Sequence, residues 1–399
     1  MKNVLIVISD MGLGGAQRSL LSFLECLSAS EQKEEYRVSL MVVNPKGEFY
    51  RHIPSEITQL KPPISLHWLG TALSVQLIRK HFSARCLLKK LRWIAGKKLG
   101  IFPKQLNVQQ KLWECWKDEV PKLPGHYDVA VSYIDGFPNY YVIEKVRADK
   151  KVLWIHNEYQ KLQYNAEYDA PYYEKADEII TISPKCRQCI LEAFPAMENK
   201  VHILENITVS DEVQRKSQMG QASEYEEFHG LKLLCVGRLR PQKAYDLAIE
   251  AANILKLKQI PFRWLILGDG PEYQRLQQQI DHFHLNDSFF LLGNRENPYA
   301  YMAKCDILVQ TSRFEGKSVV LDEAKILEKP IVATNYTTVV DSITHGRNGW
   351  IVEMTPEAIA EGIITLWESD AIRQTLIQTL VSEKKDNTQQ LRNYIRIML

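Results

Sequence analysis

Six short apolar runs in the first half of the chain, "NVLIVIS", "YRVSLMVV", "DVAVSYI", "KVLWIH", "EIITIS" and "VHILEN", read as strands. Segments of helical periodicity such as "AQRSLLSFLECLS" and "PKCRQCILEAF" separate several of them. Strand, helix, strand in succession builds a parallel sheet, so this rhythm commits the chain to an α/β fold. Near Ile207 the rhythm breaks: "VSDEVQRKSQMGQASEYEEFHG" is polar and weakly periodic, and is expected as a linker. A second series then begins with "LKLLCVG", "FRWLILG", "SFFLLG", "DILVQTS", "PIVAT" and "GWIVE". Two doubly wound, Rossmann-like domains are expected, over 1–210 and 231–375, with 211–230 between them. A polar helical tail over 376–399 has the option of packing back on the N-terminal domain.

A length of 399 residues exceeds one ordinary core and agrees with two domains. Apolar content of 45% beside 25% charged residues reads as globular, and a net charge of +2 gives no case for nucleic acid. The seven cysteines are scattered; the close pair Cys186 and Cys189 lacks a second pair at zinc spacing. Buried thiols in a reducing compartment are the expectation, with metal or redox work the alternative. No apolar run reaches about 18 residues, and "MKNVLIVISDMGLGG" has no cleavage-site pattern, so a cytoplasmic protein is expected.

In open α/β sheets ligands sit at the carboxyl ends of the strands, so the chemistry is expected in strand-to-helix loops lining a cleft between the halves. The first strand ends in "SDMGLGGAQRSLL", where Gly12, Gly14 and Gly15 let backbone approach a ligand before a helix N-terminus. A dinucleotide fingerprint would need a third glycine where Gln17 stands, so the nicotinamide reading is weak. The loop alone fits any phosphate binder, or a plain structural turn. In "VGRLRPQKAYDLAIEAANIL" Arg238 and Lys243 lie five apart at a strand mouth. Such a pair suits a diphosphate; a solvated basic loop that also holds Arg240 is the open alternative. "LILGDGPEYQRL" reads as turn chemistry with Pro271 in the first helical turn.

"SRFEGKSVVLDEAKIL" carries an acid that the pattern does not want. As a helix from about Ser318, it gathers Val319, Val320, Ala324, Ile326 and Leu327 on one arc, with Asp322, Lys325, Glu328 and Lys329 opposite. Glu323 falls in the apolar arc, eight positions after Glu315. A carboxylate there could accept hydrogen bonds from neutral hydroxyls, or be buried in an ion pair with Arg238 or Lys243.

"GGAQRSLL", "VGRLRPQK", "GDGPE" and "SRFEGKSVVLDEAKILEKPIVATNY" stand in the same order as in the retaining, nucleotide-sugar-dependent glycosyltransferases of family 4, which have the GT-B fold. The chain resembles that family over most of its length, most closely from about 232 to 355. The resemblance implies that Arg238 and Lys243 hold the donor diphosphate, and that Glu315 with the amides of Gly316, Lys317, Ser318 and Val319 holds the sugar. Glu323 would accept the ribose hydroxyls, His156 would lie near the sugar and β-phosphate, and Gly14 and Gly15 would bring backbone to the diphosphate. Outside the resemblance, a lone histidine such as His156 is more often a satisfied structural residue. A UDP-sugar is the expected donor, with no cofactor. No two aspartates sit two apart, so the D-x-D metal site of the other large transferase fold is absent. That agrees with Arg238, Lys243 and helix amides serving in place of a divalent ion. Lys317 and Ser318 stand where many relatives have Phe or Leu, then Gly or Pro, which leaves the sugar open. A nucleotide-sugar epimerase on a similar scaffold, or a non-catalytic partner of a transferase, are the rival readings.

From Ile57 to Trp113 there is no Asp or Glu, against eleven Lys or Arg. Within it "ARCLLKKLRWIAGKK" places Ala84, Leu87, Leu88, Leu91, Ile94 and Ala95 on one helical face, with Arg85, Lys89, Lys90, Arg92 and Trp93 outside it. Residues 84–98 are therefore expected to lie on an anionic membrane surface, with an ordinary solvated surface helix as the alternative. A peripheral place on the inner face of the cell membrane, and a glycan or lipid-linked acceptor used in surface polysaccharide or glycolipid synthesis, follow as expectations.

Overall fold

The computed structural model describes residues 1–383 and 388–399. They form two units, one of Met1–Gly12, Ala16–Glu205 and Gln389–Leu399, the other of Leu13–Gly15 and Asn206–Thr388.

The first unit is built on seven parallel strands: β1 (Lys2–Ile8), β2 (Tyr36–Val42), β3 (Thr58–Leu60), β4 (Tyr127–Ser132), β5 (Ala148–Ile155), β6 (Glu178–Thr181) and β7 (Val201–Ile203). Their order is β3-β2-β1-β4-β5-β6-β7, and Val4 to Val7 pair with Val129 to Ser132 across the centre. Central strands are apolar on both faces because helices cover both, and Val4 through Ile8 are wholly buried. The order turns outward from β1 and β4, so the loops after these two strands diverge and open a crevice at their carboxyl ends.

The last helix, Gln390–Met398, belongs to this first unit. Tyr394 is fully buried, stacks on Phe23 at 5.1 Å, and donates through its hydroxyl to the Glu205 carbonyl at 3.1 Å. Lys2 and Lys150 donate to the carbonyls of Leu399 and Ile397 at 3.0 and 2.5 Å. Those carbonyls have no partner within the helix, and they carry the negative end of its dipole. Of the tail, 384–387 lie outside the described residues.

The acid-free stretch forms four helices, Ile64–Gly70, Val75–Lys80, Ala84–Leu99 and Val108–Trp116. The Ala84–Leu99 helix buries Cys86, Lys90, Trp93 and Gly96 and leaves Ala84, Leu88, Leu91 and Ala95 of the expected apolar face exposed, with Leu87 and Ile94 half-buried. Lys90 Nζ donates to the carbonyls of Trp68 and Leu69 at 2.9 and 3.3 Å, and lies over the Trp116 ring at 5.7 Å. Those carbonyls close the Ile64–Gly70 helix, whose C-terminal dipole attracts the ammonium. Desolvation there pulls the Lys90 pKa down to about 8. Trp93 packs on Phe102 at 4.7 Å, and a Cβ on Gly96 would meet the same ring at 2.9 Å. Leu88, Leu91 and Leu99 are left 51%, 48% and 74% exposed.

The second unit carries six parallel strands: β8 (Leu231–Val236), β9 (Phe262–Leu267), β10 (Phe289–Leu291), β11 (Ile307–Gln310), β12 (Ile331–Thr334) and β13 (Trp350–Val352). Their order, β10-β9-β8-β11-β12-β13, repeats the doubly wound plan with its crevice at β8 and β11. Residues 211–230, expected as a linker, fold into this unit. The Ser210–Ser217 helix buries Val213, and Ala222 and Tyr225 join the same core, where the Tyr225 hydroxyl donates to the Leu233 carbonyl at 2.6 Å. Three anchors spaced nine and three residues apart are too sparse to leave a periodic signal.

Candidate active site

The loops that leave β8 and β11 meet at the crevice of the second sheet. After β8 the chain runs through Gly237, Arg238 and a short 3-10 turn, Pro241–Lys243. Gly237 and Gly268 approach so closely that a Cβ on Gly268, at φ 149°, would fall 2.0 Å from the Gly237 carbonyl oxygen. Only glycine fits there. The Tyr245 hydroxyl donates to the same carbonyl at 3.1 Å, which fixes the strand exit that carries Arg238. Arg238 and Lys243 are half-buried, whereas Arg240 is exposed.

After β11 come Ser312 and Glu315. Lys243 Nζ donates to Glu315 Oε1 at 2.6 Å, the Ser312 hydroxyl donates to the same oxygen at 2.6 Å, and Gln242 Nε2 reaches Oε2 at 3.4 Å. Thr338 holds the backbone, its hydroxyl donating to the Glu315 carbonyl at 2.8 Å. A cation 18% exposed and a carboxylate 11% exposed are thus locked at the mouth of the sheet. Removing either partner would strand the other in a poorly solvated place.

Gly316, Lys317 and Ser318 are buried and lead into the Val319–Ile326 helix. Ser318 occupies the N-cap, yet its hydroxyl donates to Gln310 Oε1 at 2.7 Å instead of capping, and Gln310 Nε2 donates to the Tyr336 hydroxyl at 2.9 Å. Ser318 makes no side-chain cap, while the Leu321 and Asp322 amides donate to its carbonyl at 3.2 and 3.4 Å.

That helix is buried on both arcs. Asp322 and Lys325, expected on a solvated arc, are each 4% exposed, and Lys325 Nζ donates to the Ser342 carbonyl. Packing above and below the helix removes the outward face that the periodicity implied. Burial therefore does not single out Glu323; its partner does. The Tyr299 hydroxyl donates to Glu323 Oε1 at 2.7 Å, a neutral donor from the start of the Pro298–Lys304 helix. Lys243 pairs with Glu315.

The remaining expected residues follow strands of the first sheet. Gly14 and Gly15 lie in the loop after β1, and Gly15 opens the Gly15–Ala29 helix. Gln17, which breaks the dinucleotide fingerprint, donates to Asp10 at 3.2 Å, and the Gly12 amide donates to the same carboxylate at 2.9 Å. His156 follows β5, stacked on Trp154 at 5.0 Å, with Nε2 3.0 Å from the Tyr133 carbonyl. A carbonyl only accepts, so Nε2 carries the proton and Nδ1 keeps a lone pair. Burial lowers the His156 pKa to about 4, so the ring is neutral at physiological pH.

Sequence reasoning did not find Tyr299, Ser312, Gln242 or Thr338. Ser312 stands three residues before Glu315, a spacing that could have flagged it, whereas Tyr299 meets Glu323 only through the fold. Among the described residues, no group of three His, Cys, Asp or Glu side chains is placed to hold a metal ion.

Residues 223–380 match the family model described as glycosyl transferases group 1. The chain is 26% identical over 377 residues to an N-acetylgalactosamine-N,N'-diacetylbacillosaminyl-diphospho-undecaprenol 4-alpha-N-acetylgalactosaminyltransferase of Campylobacter jejuni, covering 94% of this chain and 92% of that protein. It is 29% identical to the capsular polysaccharide biosynthesis glycosyltransferase CapM of Staphylococcus aureus over 50% of this chain, spanning only about half (55%) of CapM. In fold it resembles Alr3699/HepE of Anabaena, crystallised in complex with UDP and glucose, with a TM-score of 0.70 at 15% identity over 99% of this chain and 98% of that one. With two sheets of doubly wound order, the chain has the fold of these solved glycosyltransferases, and its residues 223–380 are similar to the glycosyl transferases group 1.

Proposed function

We propose that this glycosyltransferase moves a sugar from a nucleotide-diphosphate donor, a UDP-sugar, to a hydroxyl of a glycan or lipid-linked acceptor, with retention at the anomeric carbon. The observation that carries this reading is the contact between Lys243 and Glu315, at 2.6 Å, where the β8 and β11 loops converge. An ammonium between a carboxylate and an uncapped helix N-terminus suits a molecule with hydroxyls on one side and a diphosphate on the other. Glu315 accepts from sugar hydroxyls, Lys243 turns its remaining N–H donors to the phosphates, and Arg238 adds a planar fork. Gly316, Lys317, Ser318 and Val319 contribute amides, and Gly14 and Gly15 bring backbone near the diphosphate. As the glycosidic bond breaks, charge grows on the departing diphosphate; Arg238, Lys243 and the first-turn amides stabilise it in the place of a divalent ion. Glu323, which accepts from the Tyr299 hydroxyl, takes the ribose hydroxyls. His156 serves the sugar as an acceptor through Nδ1, a role that suits a hydroxyl and not a phosphate oxygen. Lys317, which stands where many relatives carry an apolar residue, bears on which sugar is held.

Both relatives named above are, by name, enzymes of lipid-linked or capsular glycan assembly, which supports a surface-polysaccharide or glycolipid product. Among the described residues, no helix is long and apolar enough to cross a membrane. The acid-free 57–113 stretch, with its outward leucines, supports peripheral contact with an anionic membrane through residues 84–98, at the inner face of the cell membrane. Each leucine taken from water contributes about 1.5–3 kcal/mol and each cation near an anionic surface about 1 kcal/mol.

Donor hydrolysis with a panel of UDP- and GDP-sugars tests the reading. A UDP-sugar turned over without added metal, and inhibited by UDP, is expected. Failure to bind or turn over any nucleotide sugar would overturn it.

A further inference from the structure

Resting on the membrane reading above, we propose that the Ala84–Leu99 helix holds an anionic bilayer by inserting its outward apolar stripe into the acyl boundary. Its cations form a collar at the level of the headgroups. Leu88, Leu91, Ala95 and Leu99 recur at spacings of three and four and are all exposed, so they form one continuous outward stripe. Beyond the helix ends, Phe82 and Ile101 are also 65% and 71% exposed.

The rotation of the helix is fixed from the other side. Turning the leucines inward would pull Lys90 from the Trp68 and Leu69 carbonyls and Trp93 from Phe102. Gly96, where a Cβ would collide with Phe102, permits this close seat. The inward face is thus polar at Lys90, which closes the neighbouring helix, and the outward face is apolar and about half or more exposed at Leu88, Leu91 and Leu99. A water-soluble surface helix shows the reverse.

Charge decides the occupant. Arg92 and Lys98 flank the stripe and are exposed. The acid that pairs with this helix is Glu119, bound to Arg85 at 2.5 Å and near Lys89 at 3.6 Å, at the helix's N-terminal half. A second copy packed about a two-fold axis would set this cationic collar against itself. An anionic bilayer instead meets the cations with lipid headgroups and the leucines with acyl chains. A helix of sixteen residues, about 24 Å long, lying in the interface plane satisfies both at once.

Insertion and electrostatic adsorption differ in their response to salt, which screens charges and leaves apolar transfer in place. The test is co-sedimentation of the full chain with phosphatidylglycerol–phosphatidylethanolamine vesicles at about 50 mM and about 500 mM NaCl. The parent chain should retain binding at the higher salt. The Leu88→Gln/Leu91→Gln/Leu99→Gln variant should lose about tenfold or more per leucine at both salts, and Arg92→Gln/Lys98→Gln should lose binding chiefly at low salt. These side chains are exposed, so unchanged thermal unfolding is the control for folding. Binding that the leucine variant keeps and salt abolishes overturns insertion and leaves the peripheral reading standing. No binding of the parent to anionic vesicles overturns both. A parent dimer that the leucine variant dissolves, without vesicle binding, assigns the stripe to a second copy and overturns the proposal. UDP affinity, measured in parallel, should be the same in every variant.

Discussion

The Val319–Ile326 and Ala84–Leu99 helices each bury a long ionisable side chain, and the surroundings of the two are unlike. Glu323 accepts from a neutral phenol at the mouth of a sheet, on a helix buried on both arcs. Lys90 donates to two backbone carbonyls at the end of a neighbouring helix, on a helix whose other side holds bare leucines. An ammonium bound to two carbonyls has spent its donors on the fold. Partners drawn from the backbone of a neighbouring helix mark Lys90 as architecture, whereas Glu323 is met by a side chain.

The largest effect that separates the two cases is Lys243→Ala. Donor turnover should fall about 10³-fold, the scale of losing a preorganised donor to a developing anion, read as kcat at saturating UDP-sugar. Turnover near the parental value would remove the diphosphate role. His156 extends the comparison to a buried base kept neutral. Its folded pKa, about 4, lies below its ordinary 6.5, so the unfolded chain binds the extra proton between these values. The stabilisation is complete above pH 6.5 and is lost as pH falls toward 4, by roughly 3 kcal/mol in all. Denaturant titrations across that window should show the slope, and His156→Gln, which can still donate to the Tyr133 carbonyl, should flatten it.

Lys90→Ala should cost about 2–3 kcal/mol of stability, because it leaves two carbonyls of the Ile64–Gly70 helix without their donor. UDP binding should be unaffected; a donor-affinity change would show that Lys90 is not purely architectural. Glu323→Gln should weaken UDP binding by about tenfold in calorimetry with kcat for saturating donor little changed, and Tyr299→Phe should do so by less. Smallest is Leu88→Gln, expected within about 0.5 kcal/mol of the parent stability because the side chain already faces water.

The strand runs and their turn toward two sheets are legible because parallel strands covered on both faces are continuous apolar runs. The same holds for Lys243 and Glu315, which sit where strand mouths were readable, and which the fold joins at 2.6 Å. What the sequence hides is any partner set by tertiary contact. Nothing near Lys90 announces that the carbonyls of Trp68 and Leu69, twenty-two and twenty-one positions away, would draw it inward. Helical periodicity grouped it with Arg85, Lys89 and Arg92 outside the apolar face for want of that information. Tyr299 lies twenty-four positions from Glu323 and escaped for the same reason. The 211–230 segment escaped differently: Val213, Ala222 and Tyr225 bury well but recur without a period.

The return of the Gln390–Met398 helix to the first unit bears on synthesis at the ribosome. Tyr394 fills space between Phe23 and Trp154, at ring distances of 5.1 and 5.4 Å, and its hydroxyl lies 3.4 Å from that of Tyr133. Until residues 389–399 emerge, those three aromatic side chains lack one of their neighbours. The part of the protein made first is thus among the last to be finished, after the whole second unit has been translated. A nascent chain stalled short of Tyr394 should expose Phe23 and Trp154 to chaperones while its second sheet is already closed.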